Sequence, residues 1–141
     1  MRSTNCPTLR IHLWLQNKNG VLAGHGRIQL LEYIEYMRSI TAAAKALGMS
    51  YRAAWGKIRA TEALLGKRLL EETEGKRTGS KLSKDGLRYI AAYRNWESEV
   101  EQYAFESAQE HFACLQQYWS PRELPFRKPP PGVRNPGSGN G

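Results

Sequence analysis

Residues 39–86, SITAAAKALGMSYRAAWGKIRATEALLGKRLLEETEGKRTGSKLSKDG, constrain the fold more than any other stretch of the chain. Thr41 is a good N-cap for a short helix of Ala42, Ala43, Ala44, Lys45, Ala46 and Leu47, and small alanines let neighbouring helices approach closely. Gly48 suits the left-handed position that ends such a helix, and Met49 fills the turn. Ser50 then caps a longer helix over 51–65, with Ala54, Ile58, Thr61 and Leu65 as its buried stripe. Leu69-Leu70 begins a strand and Lys81-Leu82 returns it around a Gly- and Lys/Arg-rich loop, Glu74 to Ser80. A helix-turn-helix with a wing is written this way, and such a unit lays one helix in the major groove of DNA.

The flanks follow the same logic. Residues 1–8 read as a flexible start. In LRIHLWLQ, 9–16, Leu9, Ile11, Leu13 and Leu15 alternate with Arg10, His12, Trp14 and Gln16, which predicts a strand. Asn17 to Gly20 is turn chemistry, and Val21-Leu22 returns as a second strand. Gly24-His25-Gly26 breaks the chain before a helix over 27–37 that buries Ile28, Leu31 and Ile34. Ser83 can cap a final helix over about 86–118, whose Tyr93, Trp96, Val100, Tyr103, Phe112 and Leu115 recur at helical spacing. Such a helix is about 50 Å long, more than one small domain can cover. Part of its aromatic stripe is therefore expected to bury against a partner chain. Six prolines and four glycines within 120–141 predict a disordered tail. The division expected is thus 1–8, a winged helix-turn-helix over 9–85, a dimerisation helix over 86–119, and the tail. The fold class is α+β, mainly α.

Charge sharpens the picture. The net +8 is unevenly placed: +6 over 45–84 and −4 over 85–110. A positive block beside a negative one is an oriented footprint rather than a general affinity for polyanions. Cys6 and Cys114 have no metal-ligand spacing and read as an ordinary reduced pair. No apolar signal-peptide core or membrane-length run is present, so a soluble cytoplasmic protein is expected, without a membrane role. Enzyme chemistry is not expected, and no catalytic or metal site is assigned. His12, His25 and His111 are scattered, and Glu71-Glu72 would point to opposite faces of a strand.

The runs Gly26-Arg27-Ile28-Gln29-Leu30-Leu31, Ser39-Ile40-Thr41-Ala42-Ala43-Ala44, Gly48-Met49-Ser50-Tyr51-Arg52-Ala53-Ala54-Trp55 and Leu82-Ser83-Lys84-Asp85-Gly86 resemble the N-terminal DNA-binding domain of molybdate-responsive ModE-type regulators. More distantly they resemble the winged helix-turn-helix of LysR-type regulators. The resemblance runs from about Leu9 to Tyr93 and implies a dimeric transcription factor whose last helix helps form the dimer. ModE-type proteins continue into small β-barrel domains that bind molybdate or tungstate. Here a Pro/Gly tail follows instead, so no cofactor is expected within this chain, molybdate and tungstate included.

The DNA contacts expected from this reading are Thr41, Ser50, Tyr51, Arg52, Trp55, Lys57 and Arg59, with Lys76, Arg77, Thr78, Ser80 and Lys81 in the wing. Arg52 can fork onto a guanine, Ser50 and Thr41 double as helix caps, and Trp55 doubles as a core residue. Gly75 and Gly79 permit close approach of the wing to a groove. A homodimer would read a near-palindromic operator in double-stranded DNA. A regulatory protein partner is left open. The competing readings are a winged-helix protein-interaction module without sequence-specific DNA binding, and RNA binding. The second is disfavoured because no aromatic stacking platform on a sheet is evident.

Overall fold

The computed structural model describes residues 6–71, 79–112 and 114–115. In chain order they form β1 (Trp14–Asn17), β2 (Gly20–Gly24), α1 (His25–Met37), α2 (Ile40–Ala46), α3 (Tyr51–Leu65) and α4 (Lys84–His111). The architecture is mainly helical with one antiparallel hairpin, β1–β2, and a wing closed at its base by a single antiparallel bridge, Leu70 to Leu82. That is the winged helix-turn-helix expected from the sequence.

α1 is the hub. Its Leu30, Leu31, Tyr33 and Ile34 meet Ile40, Ala43 and Ala44 of α2, Ala54 and Ile58 of α3, and Leu69 and Leu82 at the wing base. The alanines supply small contact surfaces where helices cross, as the sequence implied. A second cluster joins Ala23 and Ile28 to Tyr93 of α4.

Three serines start three helices by one device: the hydroxyl oxygen accepts from the backbone N–H three residues on. Ser39 takes Ala42, Ser50 takes Ala53 and Ser83 takes Gly86, each at 3.0 Å. Ser39 therefore displaces Thr41 as the cap of α2, and Thr41 sits exposed within the first turn. The correction is physical: Ser39 has the extended backbone a cap requires (φ −155°, ψ 124°), while Thr41 is already helical. Gly48 occupies the left-handed position expected of it, at φ 70°. α1 also begins two residues before the expected 27, so His25 and Gly26 form its first turn.

The N-terminal strand is shorter than the alternation implied. Pairing begins at Trp14, and a register shift between Leu15 and Gln16 disturbs the ladder. β1 is the outer strand of a two-stranded hairpin and lies exposed throughout, Leu15 included. Residues 9–13 have no strand assignment, yet their alternation survives: Leu9, Ile11 and Leu13 are half-buried while Arg10 and His12 are exposed. Two phenols fasten this region to α4. Tyr89 donates to the carbonyl of Leu22, and Tyr93 donates to that of Leu13 at 2.8 Å. Burial pushes both phenols up to about 12.

α4 ends at His111 rather than near 118, giving a helix of 28 residues, about 42 Å long. At Phe112 the backbone turns extended (φ −128°, ψ 127°), and two residues later Cys114 is bonded to Cys6, with Cα atoms 5.3 Å apart. The two cysteines are a disulfide, not the reduced pair read from the sequence. A separation of 108 residues hides such a pairing from local spacing. The expected tail over 120–141 lies outside the described residues, as do residues 116–119.

Beneath the helices lies a buried ion triad that the sequence reading did not find. Arg94 donates through Nη1 to Glu97 Oε1 at 2.8 Å and through Nη2 to Glu32 Oε1. All three residues are under one-tenth exposed. Burial raises the Glu32 carboxyl above its ordinary value, against the opposing pull of the Arg94 guanidinium.

Candidate nucleic-acid interface

α3 owes its place to both of its sides. Inward, Ala54, Ile58 and Thr61 are buried. Arg27 of α1 donates through Nη1 to Thr61 Oγ1 at 2.6 Å and to the Lys57 carbonyl at 2.9 Å, locking the helix rotationally. Its C-terminus stops at Gly66 in the left-handed region, where Glu62 accepts from the Leu69 N–H at 2.8 Å and ties the helix to the wing base.

Outward, Tyr51, Arg52, Ala53, Gly56, Arg59 and Ala60 are exposed. With about 100° per residue, Arg52, Gly56 and Arg59 fall within one narrow arc opposite the buried stripe. Beyond its own helical turn, a methyl group built on Gly56 would meet nothing within 4 Å among the described residues. The arc therefore presents two guanidinium groups over a low floor of small side chains. It begins at the capped N-terminus of the helix, where a groove-reading helix makes its base contacts.

The expected contact residues divide on this geometry. Ser50, Tyr51 and Arg52 stand together and exposed at the helix start, with Ser50 already serving as the cap. Trp55 is half-buried and packs against the main core, and the Arg59 guanidinium lies 4.7 Å from its ring centroid. Arg59 also pairs with Glu62 at 3.8 Å, so its charge is held along the helix. Lys57 is exposed but sits about 140° around the helix from Arg52, away from that arc. Thr41 is exposed on α2, and Lys45, one turn later, is exposed on the same face. The sequence reading named Lys45 only as one of the residues that build this helix. Its spacing of four from Thr41 was the signal available.

At the wing base, Ser80 donates its backbone N–H to the Arg38 carbonyl at 3.0 Å, and the Leu82 N–H donates to Glu35 Oε2 at 2.9 Å. Arg38 itself takes the left-handed conformation (φ 57°), which aims its carbonyl at the wing. Gly79 fits only as glycine, since its φ is 69° and a Cβ would run into that same carbonyl. Lys81 is half-exposed and faces Glu71 at 4.0 Å across the bridge, a surface pair of little energetic weight. Lys76, Arg77 and Thr78 lie outside the described residues.

The expected dimer stripe divides too. Tyr93 is only 3% exposed, meeting Trp96 edge-on at 5.9 Å and bonded to Leu13, so its ring belongs to this chain's own core. The hairpin folded over α4 is the reason. Trp96, Val100 and Leu115 are half-buried, whereas Tyr103 and Phe112 stand 74% and 62% exposed. Among the described residues, no group of three or more metal-ligating side chains is present and no helix is long and apolar enough to cross a membrane.

Comparison with known proteins converges on the same segment. Residues 26–87 match the bacterial regulatory helix-turn-helix of the lysR family. The molybdenum transport protein ModE of Azotobacter vinelandii is 38% identical over 84 residues, covering 58% of this chain and 31% of that protein. The molybdenum-pterin-binding protein MopB of Rhodobacter capsulatus is 35% identical over 85 residues, covering 59% and 32%. The chain thus spans about a third of the length of these curated relatives. In fold, it is similar to the crystal structure of a CbnR DBD–DNA complex, with a TM-score of 0.50 and 22% identity over 62% of this chain and 97% of that one. Residues 26–87, which carry α3, are thus similar to the lysR-family helix-turn-helix, and the fold they adopt is that of a winged helix-turn-helix domain.

Proposed function

We propose that this chain is a sequence-specific regulator of transcription that binds double-stranded DNA as a homodimer through α3, in the cytoplasm. The observation that carries the reading is the outward arc of α3. Arg52 is exposed at the capped start of a helix whose opposite side is fully engaged in the core. Arg52 supplies base discrimination, Tyr51 and Ser50 flank it, and Thr41 and Lys45 hold phosphates from α2. Wing contacts from Lys76, Arg77 and Lys81 belong to the same proposal. Exposed Tyr103 on α4 and Phe112 at its C-cap support the dimer, because large aromatic rings left in water along and at the end of a long helix favour a partner helix. A two-fold dimer then reads two half-sites separated by whole helical turns.

We further propose that DNA binding by this chain needs no molybdate or tungstate. The support is that Ser39 and Ser50 cap α2 and α3 from within the chain, which fixes the turns that carry Thr41, Lys45, Tyr51 and Arg52.

Selection of duplexes from a random pool at physiological salt, with and without molybdate, tests the reading. One symmetric motif recovered in both conditions is the expected result. No motif in either condition overturns sequence-specific binding and favours a protein-interaction module. Arg52→Ala should relax base preference by about 1–3 kcal/mol at one position, whereas Lys45→Ala should weaken all duplexes alike and flatten the salt dependence. If the two variants act identically on every sequence, the roles given to them are wrong.

A further inference from the structure

We propose that the Cys6–Cys114 bond is a redox-sensitive clasp: closed, it holds residues 6–13 along the far half of α4, and open, it frees that half to pack against a second copy of the chain. The proposal rests on the reading of α4 as the dimerisation helix.

Both ends of the segment are fastened to the same helix. Leu13 accepts the Tyr93 hydroxyl at 2.8 Å, and Cys6 is bonded to Cys114 just beyond the C-terminus of α4. From Tyr93 to His111 the helix rises about 27 Å. Eight residues at full extension reach about 24 Å between their end Cα atoms, enough with the reach of the Tyr93 side chain to run along the helix between the two anchors. Its alternation fits that path, with Leu9, Ile11 and Leu13 half-buried and Arg10 and His12 exposed. The core-facing stripe of α4 continues past Trp96 as Val100, Ala104 and Ala108, each half-buried and not fully buried. The strap is the stretch of chain tethered alongside them.

The bond is open to exchange. Cys114 is exposed and Cys6 partly so. A dithiol reductant attacks the Cys114 sulfur as its thiolate, the Cys6 sulfur leaves and takes a proton, and a mixed disulfide remains. The second thiol of the reductant resolves it. The reductant becomes a disulfide, and the protein gains two thiols and two electrons. A disulfide oxidant runs the sequence backwards. A DNA-binding protein works where thiols are kept reduced, and an exposed disulfide there forms transiently in response to oxidant rather than persisting as a structural staple. Reduction removes the covalent anchor at Cys6 while the Leu13 hydrogen bond stays at the other end, and the apolar stripe beneath the strap becomes available.

The test uses the full chain in two forms, air-oxidised and treated with dithiothreitol, alongside Cys6→Ser and Cys114→Ser. Amide hydrogen exchange reports residues 9–13, and sedimentation equilibrium reports self-association. Reduction should speed exchange in the strap and tighten self-association about tenfold or more. Both serine variants should behave as the reduced form whether or not dithiothreitol is present. Two alkylatable thiols in the oxidised, denatured chain would sink the proposal, and so would strap exchange unchanged by reduction. Equal dimer affinity in both redox forms overturns the clasp and leaves the dimer reading standing. Monomers in both forms, together with selection of only asymmetric sites, overturn the dimer reading itself.

Discussion

Arg52 and Gly56 on α3, and Arg94 and Gly86 on α4, are the same two residue types in opposite circumstances. On α3 the arginine is exposed and the glycine faces open space. On α4 the arginine is 7% exposed between two carboxylates, and a Cβ on the glycine would collide with the backbone of Leu69. One helix keeps charge and room for something absent from the chain. The other spends both on the chain itself. A basic residue or a glycine points to a ligand only where the fold has no use for it.

Breaking the buried side of this contrast should have the largest effect. Arg94→Met removes the cation that Glu32 and Glu97 share and leaves two buried carboxylates facing each other. A loss of about 3–5 kcal/mol is expected, read from the urea midpoint. A loss below about 1 kcal/mol would mean that water reaches the triad and that it is a surface network in disguise. Gly86→Ala follows, at about 1–3 kcal/mol, because the obstacle is the carbonyl of Leu69 and a backbone yields less readily than a side chain. The first turn of α4 and the wing base would shift together, since the Leu69 carbonyl also accepts the Ser83 N–H at 2.9 Å.

These two sides were unequally legible in the sequence. α3 was readable to its ends because its signals are local: Ser50 caps it, Ala54, Ile58 and Thr61 recur at helical spacing, and Gly66 stops it. The exposed arc was read only in part: Trp55 and Lys57 were expected beside Arg52 and Arg59, and the folded helix half-buries the first and turns the second away. The triad was not readable. Arg94 and Glu97 at a spacing of three look like a surface pair, and only folding brings Glu32, 62 residues away, to bury them. The disulfide was hidden for the same reason at still longer range. Thr41 and Ser39 are both good caps in isolation, and only the backbone angles choose between them. The alternation over 9–16 predicted one strand, but pairing begins only at Trp14, and at 9–13 the alternation survives in burial alone.

A smaller effect probes the seam between hairpin and α4. Tyr93→Phe deletes one hydrogen bond to Leu13 and should cost about 1 kcal/mol. Its pH signature is more telling. Folding raises the phenol from an ordinary 10 to about 12, so the unfolded chain loses its proton first as pH rises. The stabilisation is therefore intact below pH 10 and fades between 10 and 12. Circular dichroism of the wild type should show stability falling through that window, and Tyr93→Phe should fall less steeply, retaining the contributions of Tyr89 and Tyr33. Identical slopes would place the Tyr93 hydroxyl in water.

The smallest effect on stability bears most directly on the exposed side. A glycine in the middle of a helix costs about 1 kcal/mol relative to alanine, and at Gly56 the fold gains nothing visible in return. Gly56→Ala should therefore stabilise the free protein by up to about 1 kcal/mol, measured as a higher urea midpoint. If the arc between Arg52 and Arg59 enters a groove, the added methyl group must also find space against base edges or sugar, and binding to the selected duplex should weaken although the protein is more stable. Opposite signs in the two measurements mark a glycine retained for a partner. A more stable protein with unchanged affinity would show that the floor of the arc stays clear of DNA, and would move the contact toward the start of the helix at Ser50 and Tyr51.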